Sequence, residues 1–206
     1  MAAGLVLLTT LAESHHGDGV LMEHLQRLVL TDALADADVG APVAVVEDAA
    51  ADPLTPQMRS ALEFVSRRYR VSGDALEPIF AAAESSAQAL HVDPLLVVAV
   101  IAIESRFNPF SESVVGAQGL MQVVPRWHRD KLPEDADGLS FFDPVLNVQI
   151  GTRILRESIV RNGGLVAGLQ QFAGAADDPD RRYATKVLAE KARLEAAVRR
   201  PAPGTA

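Results

Sequence analysis

The sequence predicts a mainly α protein, α+β at most, and three observations carry that prediction. Apolar residues recur at helical spacing in four segments after Thr55. Three pairs of a capping residue and proline stand where helices should begin: Thr55-Pro56, Asp93-Pro94 and Asp143-Pro144. Strand-like alternation is absent outside a loop-rich or small β-ribbon insert at about 108–140, where Gly116, Gly119, Pro125, Pro133 and Gly138 interrupt the helical period.

The elements follow in order. After Thr55-Pro56, Met58, Leu62 and Val65 share one helical face, with Tyr69 a turn further on. Ser72 is placed to cap a second helix, whose stripe is Leu76, Ile79, Phe80, Ala83, Ala87 and Leu90. Asp93-Pro94 opens the continuous apolar run Leu95–Ile103. That run is too short for a membrane span and has the length of a buried core helix. Asp143-Pro144 opens a helix with Leu146, Ile150, Ile154 and Leu155 inward. A last amphipathic helix covers about Arg182 to Arg199, with Val187, Leu188, Leu194 and Val198 facing the core.

Charge divides the chain differently. Residues 1–55 contain nine acids and one base, while 56–206 contain 18 of each, so the first quarter holds the whole net charge of −8. The expected organisation is therefore an acidic N-terminal segment at 1–55, a helical domain at 56–200 and a disordered tail at 201–206. Leu21, Leu25, Leu28 and Val29 allow one short helix within the acidic segment. The first twelve residues resemble the back half of a signal peptide but lack its positive n-region.

With 49% hydrophobic residues the chain can build a core. Without a basic surplus it is a poor general ligand for nucleic acid. Without cysteine it has no disulfide, thiol nucleophile or thiolate-bound zinc. The five histidines have no carboxylate partner at convincing metal-ligand spacing, so no metal and no cofactor is expected.

The chemistry concentrates at Glu104, which ends the all-apolar run. A carboxyl group there either turns into water or stays at the edge of the core. In the second case, partial burial and the negative end of the helix dipole both favour the protonated form. That is the tuning a general acid needs near neutral pH. The next residues form a polar, glycine-containing loop. Ser113, Gln118 and Gln122 provide neutral donors and acceptors suited to sugar hydroxyl and acetamido groups.

The run Glu104-Ser-Arg-Phe-Asn-Pro-Phe-Ser-Glu-Ser-Val-Val-Gly-Ala-Gln-Gly-Leu-Met-Gln122 resembles the signature of the soluble lytic transglycosylase catalytic domain (glycoside hydrolase family 23, lysozyme-like). That signature reads E-S-x-F-N-P-x-A-x-S-x-x-G-A-x-G-L-M-Q. Ser111, standing where the signature has alanine, is the one departure. Two later segments also resemble the family: Asp143-Pro-Val-Leu-Asn147 through Gly151 to Leu155, and Tyr183-Ala-Thr-Lys-Val187.

The resemblance implies a lysozyme-like helical domain in the bacterial cell envelope, periplasmic or otherwise exported, acting on peptidoglycan glycan strands. It implies Glu104 as the single catalytic acid/base, with Ser113, Gly119, Met121, Gln122, Asn147, Phe172 and Tyr183 in the substrate-binding region. Ser113 is the foremost candidate for direct contact, and Tyr183 is assigned mainly to packing of the last helix, with an approach to the site in compensation for Phe172 as the alternative. The implied reaction joins the muramyl 6-hydroxyl to its own anomeric carbon, leaving a 1,6-anhydro end. The family usually has Tyr-Asn where this chain has Phe172-Ala173. Phe keeps the ring but cannot donate a hydrogen bond to the acid, a loss of about 1.5–3 kcal/mol. In rate that is about one to two decades. A slower enzyme, a saccharide-binding domain without turnover and a water-using muramidase are the outcomes this leaves open. Glu112 reads as a solvated loop charge, Asp143 as a helix cap, and Trp127 as either a sugar-stacking or an edge-packing ring. The sequence identifies no protein partner.

Overall fold

The computed structural model describes residues 54–133, 137 and 139–199. The leader-like start, the helix expected near Leu21 and the C-terminal tail lie outside these residues. Helices dominate: α1 Pro56–Tyr69, α2 Gly73–Leu90, α3 Pro94–Glu104, the single turn α4 Pro125–His128, α5 Pro144–Arg161, α6 Leu165–Phe172 and α7 Arg182–Val198. Short 3₁₀ turns occupy Arg129–Lys131 and Ser140–Phe142.

The expected caps are present. The Thr55 and Ser72 hydroxyls accept from the Met58 and Ala75 amides. The Asp93 and Asp143 carboxylates accept from the Leu95 and Leu146 amides at 2.8 and 2.7 Å. Each cap satisfies an amide that the first turn leaves without a helical partner, worth about 1 kcal/mol. Asp93 also pairs with Lys191 of α7 at 2.7 Å, which ties the start of α3 to the last helix.

α3 is the centre of the domain. Every residue from Leu95 to Ala102 is buried, as an all-apolar helix requires. It packs against α7, α2 and α1, while α5 packs against α2 and α6. Gly168 permits the last of these crossings, because a Cβ there would lie 2.4 Å from the Ile159 Cα. The buried positions of the other helices follow the expected stripes, with Leu90, Leu146, Leu188 and Val198 only partly covered.

One feature went beyond the sequence pattern: α6, at eight residues, with Gly164 as its N-cap and no side-chain cap bond, is too short to display a helical period. The insert is loop-rich as expected, and among its described residues pairing amounts to two isolated antiparallel bridges, Glu112 with Gln118 and Gln118 with Val123.

Candidate functional site

Glu104 is the last residue of α3 and is partly buried. The chain turns away from it at once through Arg106 and Phe107, both in the left-handed region at φ 54° and 67°. Such a pair of non-glycine residues needs support. Phe107 has it: its ring is buried, edge-on to Tyr69 at 5.1 Å and stacked near Phe80 at 6.3 Å. The acid is thus held at the rim of the core while the following loop leaves the helix axis.

Tyr183 completes the arrangement. Its Oη donates to Glu104 Oε1 at 2.5 Å. Besides packing against the core, Tyr183 is therefore the hydrogen-bond donor to Glu104, the alternative the sequence left open. Burial raises the Glu104 pKa above the ordinary carboxylate value, and the Tyr183 bond, which favours the charged form, partly opposes that rise. The Tyr183 phenol is itself pushed far upward, first by burial and then by the facing carboxylate, so it stays a donor.

Tyr183 is positioned from α6. The first turn of α7 has no side-chain cap of its own, and Arg181 before it is left-handed at φ 50°. Two acceptors substitute for that cap. Gln170 Oε1 accepts from the Ala184 amide at 2.9 Å, and Asp178 Oδ2 accepts from the Arg182 amide at 3.0 Å. The buried Gln170 is fixed by donating to the Ala175 carbonyl at 2.8 Å. Phe172, two residues on, packs half-buried against the core, and Ala173 is exposed. The hydrogen bond missing at Phe172 is thus supplied by a tyrosine eleven positions later.

The loop after Glu104 is braced by Asn147. This residue has no exposed surface. Its Oδ1 accepts from the Met121 amide at 2.8 Å, and its Nδ2 donates to the carbonyls of Phe141 and Gln118 at 2.7 and 2.9 Å. Gly119 is buried beside it at φ +78°, where a Cβ would fall 2.3 Å from Asn147 Nδ2 and 2.4 Å from the Phe141 carbonyl oxygen. Met121 is wholly buried against Gly151, whose missing Cβ leaves room for its sulfur. Asn147 and Met121, expected in the substrate-binding region, present no side-chain surface to a ligand. Both are enclosed, and with Gly119 they set the loop's shape.

Ser113 and Gln122 remain partly exposed. The Ser113 hydroxyl accepts from the Ala117 amide at 3.0 Å, which leaves its proton to donate elsewhere. Gln122, left-handed at φ 50°, donates through Nε2 to the Ser111 and Gly119 carbonyls at 3.0 and 2.9 Å. Trp127 stands 63% exposed with the Arg126 guanidinium 4.5 Å over its ring, not packed at the domain edge.

Both candidate second carboxylates are hydrogen-bonded to other groups. Exposed Glu112 accepts from Gln118 Nε2 at 3.3 Å, and exposed Asp143 caps α5. Among the described residues no group of three His, Cys, Asp or Glu side chains is placed to hold a metal ion, and no helix is long and apolar enough to cross a membrane.

Residues 81–176 match the sequence profile of the family described as Transglycosylase SLT domain. A transglycosylase of Enterobacteria phage PRD1 is 34% identical over 96 residues, covering 47% of this chain and 34% of the relative. The endo-type membrane-bound lytic murein transglycosylase A of Klebsiella pneumoniae (strain 342) is 36% identical over 110 residues, half of each chain. The membrane-bound lytic murein transglycosylase C of Actinobacillus pleuropneumoniae serotype 5b is 30% identical over 99 residues, 45% of this chain and 25% of that one. This chain therefore spans between a quarter and a half of these relatives. The crystal structure of an inactive mutant of lytic transglycosylase Slt from Pseudomonas aeruginosa superposes with a TM-score of 0.53 at 19% identity, over 60% of this chain and 25% of that one. At that identity the likeness speaks for the fold, which is the mainly α fold of that domain.

Proposed function

We propose that this chain, whose residues 81–176 match the transglycosylase SLT domain family, is a peptidoglycan lytic transglycosylase with Glu104 as its single acid/base. The observation that carries the proposal is the Glu104–Tyr183 pair: one partly buried carboxyl group of raised pKa, held by one neutral phenol. In the neutral form Glu104 gives its proton to the oxygen joining N-acetylmuramic acid to N-acetylglucosamine, and the bond from the muramyl anomeric carbon to that oxygen breaks. As carboxylate it takes the proton of the muramyl 6-hydroxyl, whose oxygen bonds to the same anomeric carbon. The acid is regenerated, the product carries a 1,6-anhydro ring, and no water is consumed.

One observation favours this over the two-carboxylate hydrolytic scheme: Glu112 and Asp143 are both engaged elsewhere. The Tyr183 bond stabilises the carboxylate form, which the second step of either scheme requires. The partly exposed Ser113 and Gln122 and the exposed Trp127 are side chains available to the sugar. Because the glycan lies outside the cytoplasmic membrane, the proposal includes an exported, periplasmic or envelope location.

Digestion of purified sacculi and mass measurement of the released muropeptides tests it. Ends lighter by one water than reducing ends are expected. Reducing ends instead would identify a muramidase. Release no greater than that from a Glu104→Gln control, with sacculus binding kept, would identify a binding domain.

A further inference from the structure

Beside the end of α3 that carries Glu104 lies a basic pocket of about 620 Å³, between the end of α1, the end of α3 and one stripe of α7. Arg68, Arg106, Lys186 and Arg193 line it, with Glu190 as its one acid and Tyr69 at its base. This is a local excess of three positive charges in a chain whose net charge is −8.

The pocket is built from a buried anchor outward. Glu190 is 2% exposed. One oxygen accepts from Tyr69 Oη at 2.9 Å and lies 3.4 Å from Arg68 Nε, and the other accepts from Arg193 at 2.7 Å. The anchor holds two guanidinium groups that keep further N–H donors. Arg106 and Lys186 are exposed and have no ion-pair partner among the described residues. Two anchored forks and two unpaired cations suit a carboxylate, which a guanidinium can bind through both oxygens.

Position identifies which carboxylate. Tyr183, Lys186, Glu190 and Arg193 follow one another along a single face of α7. Lys186 is about 4.5 Å along the axis from the tyrosine that holds the acid. Ile103, also lining the pocket, precedes Glu104 directly. Muramic acid bears its peptide on the sugar whose glycosidic bond is broken, so the stem is brought to the end of α3 that the pocket borders when that bond reaches Glu104. We infer that the Arg68–Arg106–Lys186–Arg193 pocket binds a free carboxylate of the peptide stem. The inference rests on the peptidoglycan reading and adds to it a preference for stem-bearing glycan.

The test is calorimetric titration of the full chain carrying Glu104→Gln. The probes are a disaccharide bearing a stem with free carboxylates, the same compound with those carboxylates amidated, the stem-free disaccharide, the free stem peptide and inorganic phosphate. Ionic strength is matched throughout. The free-acid form is expected to bind about tenfold more tightly than the amidated and stem-free forms. Adding Arg106→Gln and Lys186→Gln together should abolish that difference. Both side chains are exposed, so the fold is retained, which circular dichroism checks. Equal affinity for the three saccharides overturns the inference and leaves the transglycosylase reading standing. Survival of the preference in the double variant also overturns it, as does phosphate binding as tightly as the free stem peptide, which would mark a site for any anion. If no saccharide binds, the glycan reading falls and the free stem peptide decides. Binding that depends on Arg106 and Lys186 sustains the pocket, and no binding overturns it.

Discussion

Glu104 and Glu190 are two shielded acids in one small domain, and their surroundings differ in one respect. Glu190 faces two guanidinium groups and a phenol, all within 3.4 Å. Among the described residues, Glu104 faces one phenol and no cation within ion-pair distance. The charge at Glu190 is neutralised, so the residue works as a strut between α1 and α7. The charge at Glu104 is left to burial, which favours its protonated form. Burial alone does not make a reactive acid. What matters is that the site withholds the counter-charge that would fix the carboxylate.

Glu104→Gln tests that contrast most severely. Turnover of sacculi should fall by about two to four decades, the contribution of a positioned general acid. The same change should stabilise the fold near neutral pH. The folded-state pKa of Glu104 is raised, so its favourable contribution is complete at acid pH and is lost as pH rises through that value. Thermal melts at pH 7 and pH 4 should show the variant's advantage shrinking at the lower pH. An advantage that grows instead would contradict the assigned direction.

Tyr183→Phe comes next. Removing one hydrogen bond to a charged group should slow turnover by about ten- to a hundredfold. It should also move the alkaline limb of the pH–rate profile upward, because the carboxylate loses its one stabilising donor. A downward movement would mean that the bond favours the neutral acid. Glu190→Gln probes the other half of the contrast. It should lower stability by about 2 kcal/mol through the weakened Arg68 and Arg193 pairs. Urea unfolding would show this as a lower midpoint at constant slope, and an unchanged midpoint would deny Glu190 its role as a strut. Smallest is Phe172→Tyr, expected to change the rate by less than about twofold because Tyr183 already occupies the donor position. A tenfold gain would show that Phe172 had left the acid short of a partner after all.

The local parts of this design were readable before the structure. Pro-capped helix starts, the all-buried α3 and the acid at its end depend on neighbours in sequence, and the loop motif announced its glycines and amides. What the sequence concealed depends on distant pairs. Asn147 looked like a groove residue because polarity is visible and burial is not, yet its three partners are the backbone of Met121, Gln118 and Phe141. Tyr183 lies 79 residues from Glu104 and beyond the span matched to the SLT family, so its contact is a product of how α7 crosses α3. The Glu190 anchor is similar, since Tyr69 lies 121 residues from it.

The complete burial of α3 has a consequence in time as well as in space. A helix covered on every side exposes its amides only when the whole domain opens, so the protons of Val97 to Ala102 should be among the last to exchange with deuterated solvent. The loop that begins at Arg106 has solvent on one side and should exchange by smaller, faster openings. Glu104 sits on the boundary between these regimes. The proposed acid is therefore mounted on the slowest part of the molecule and faces the part that would yield to an entering glycan strand.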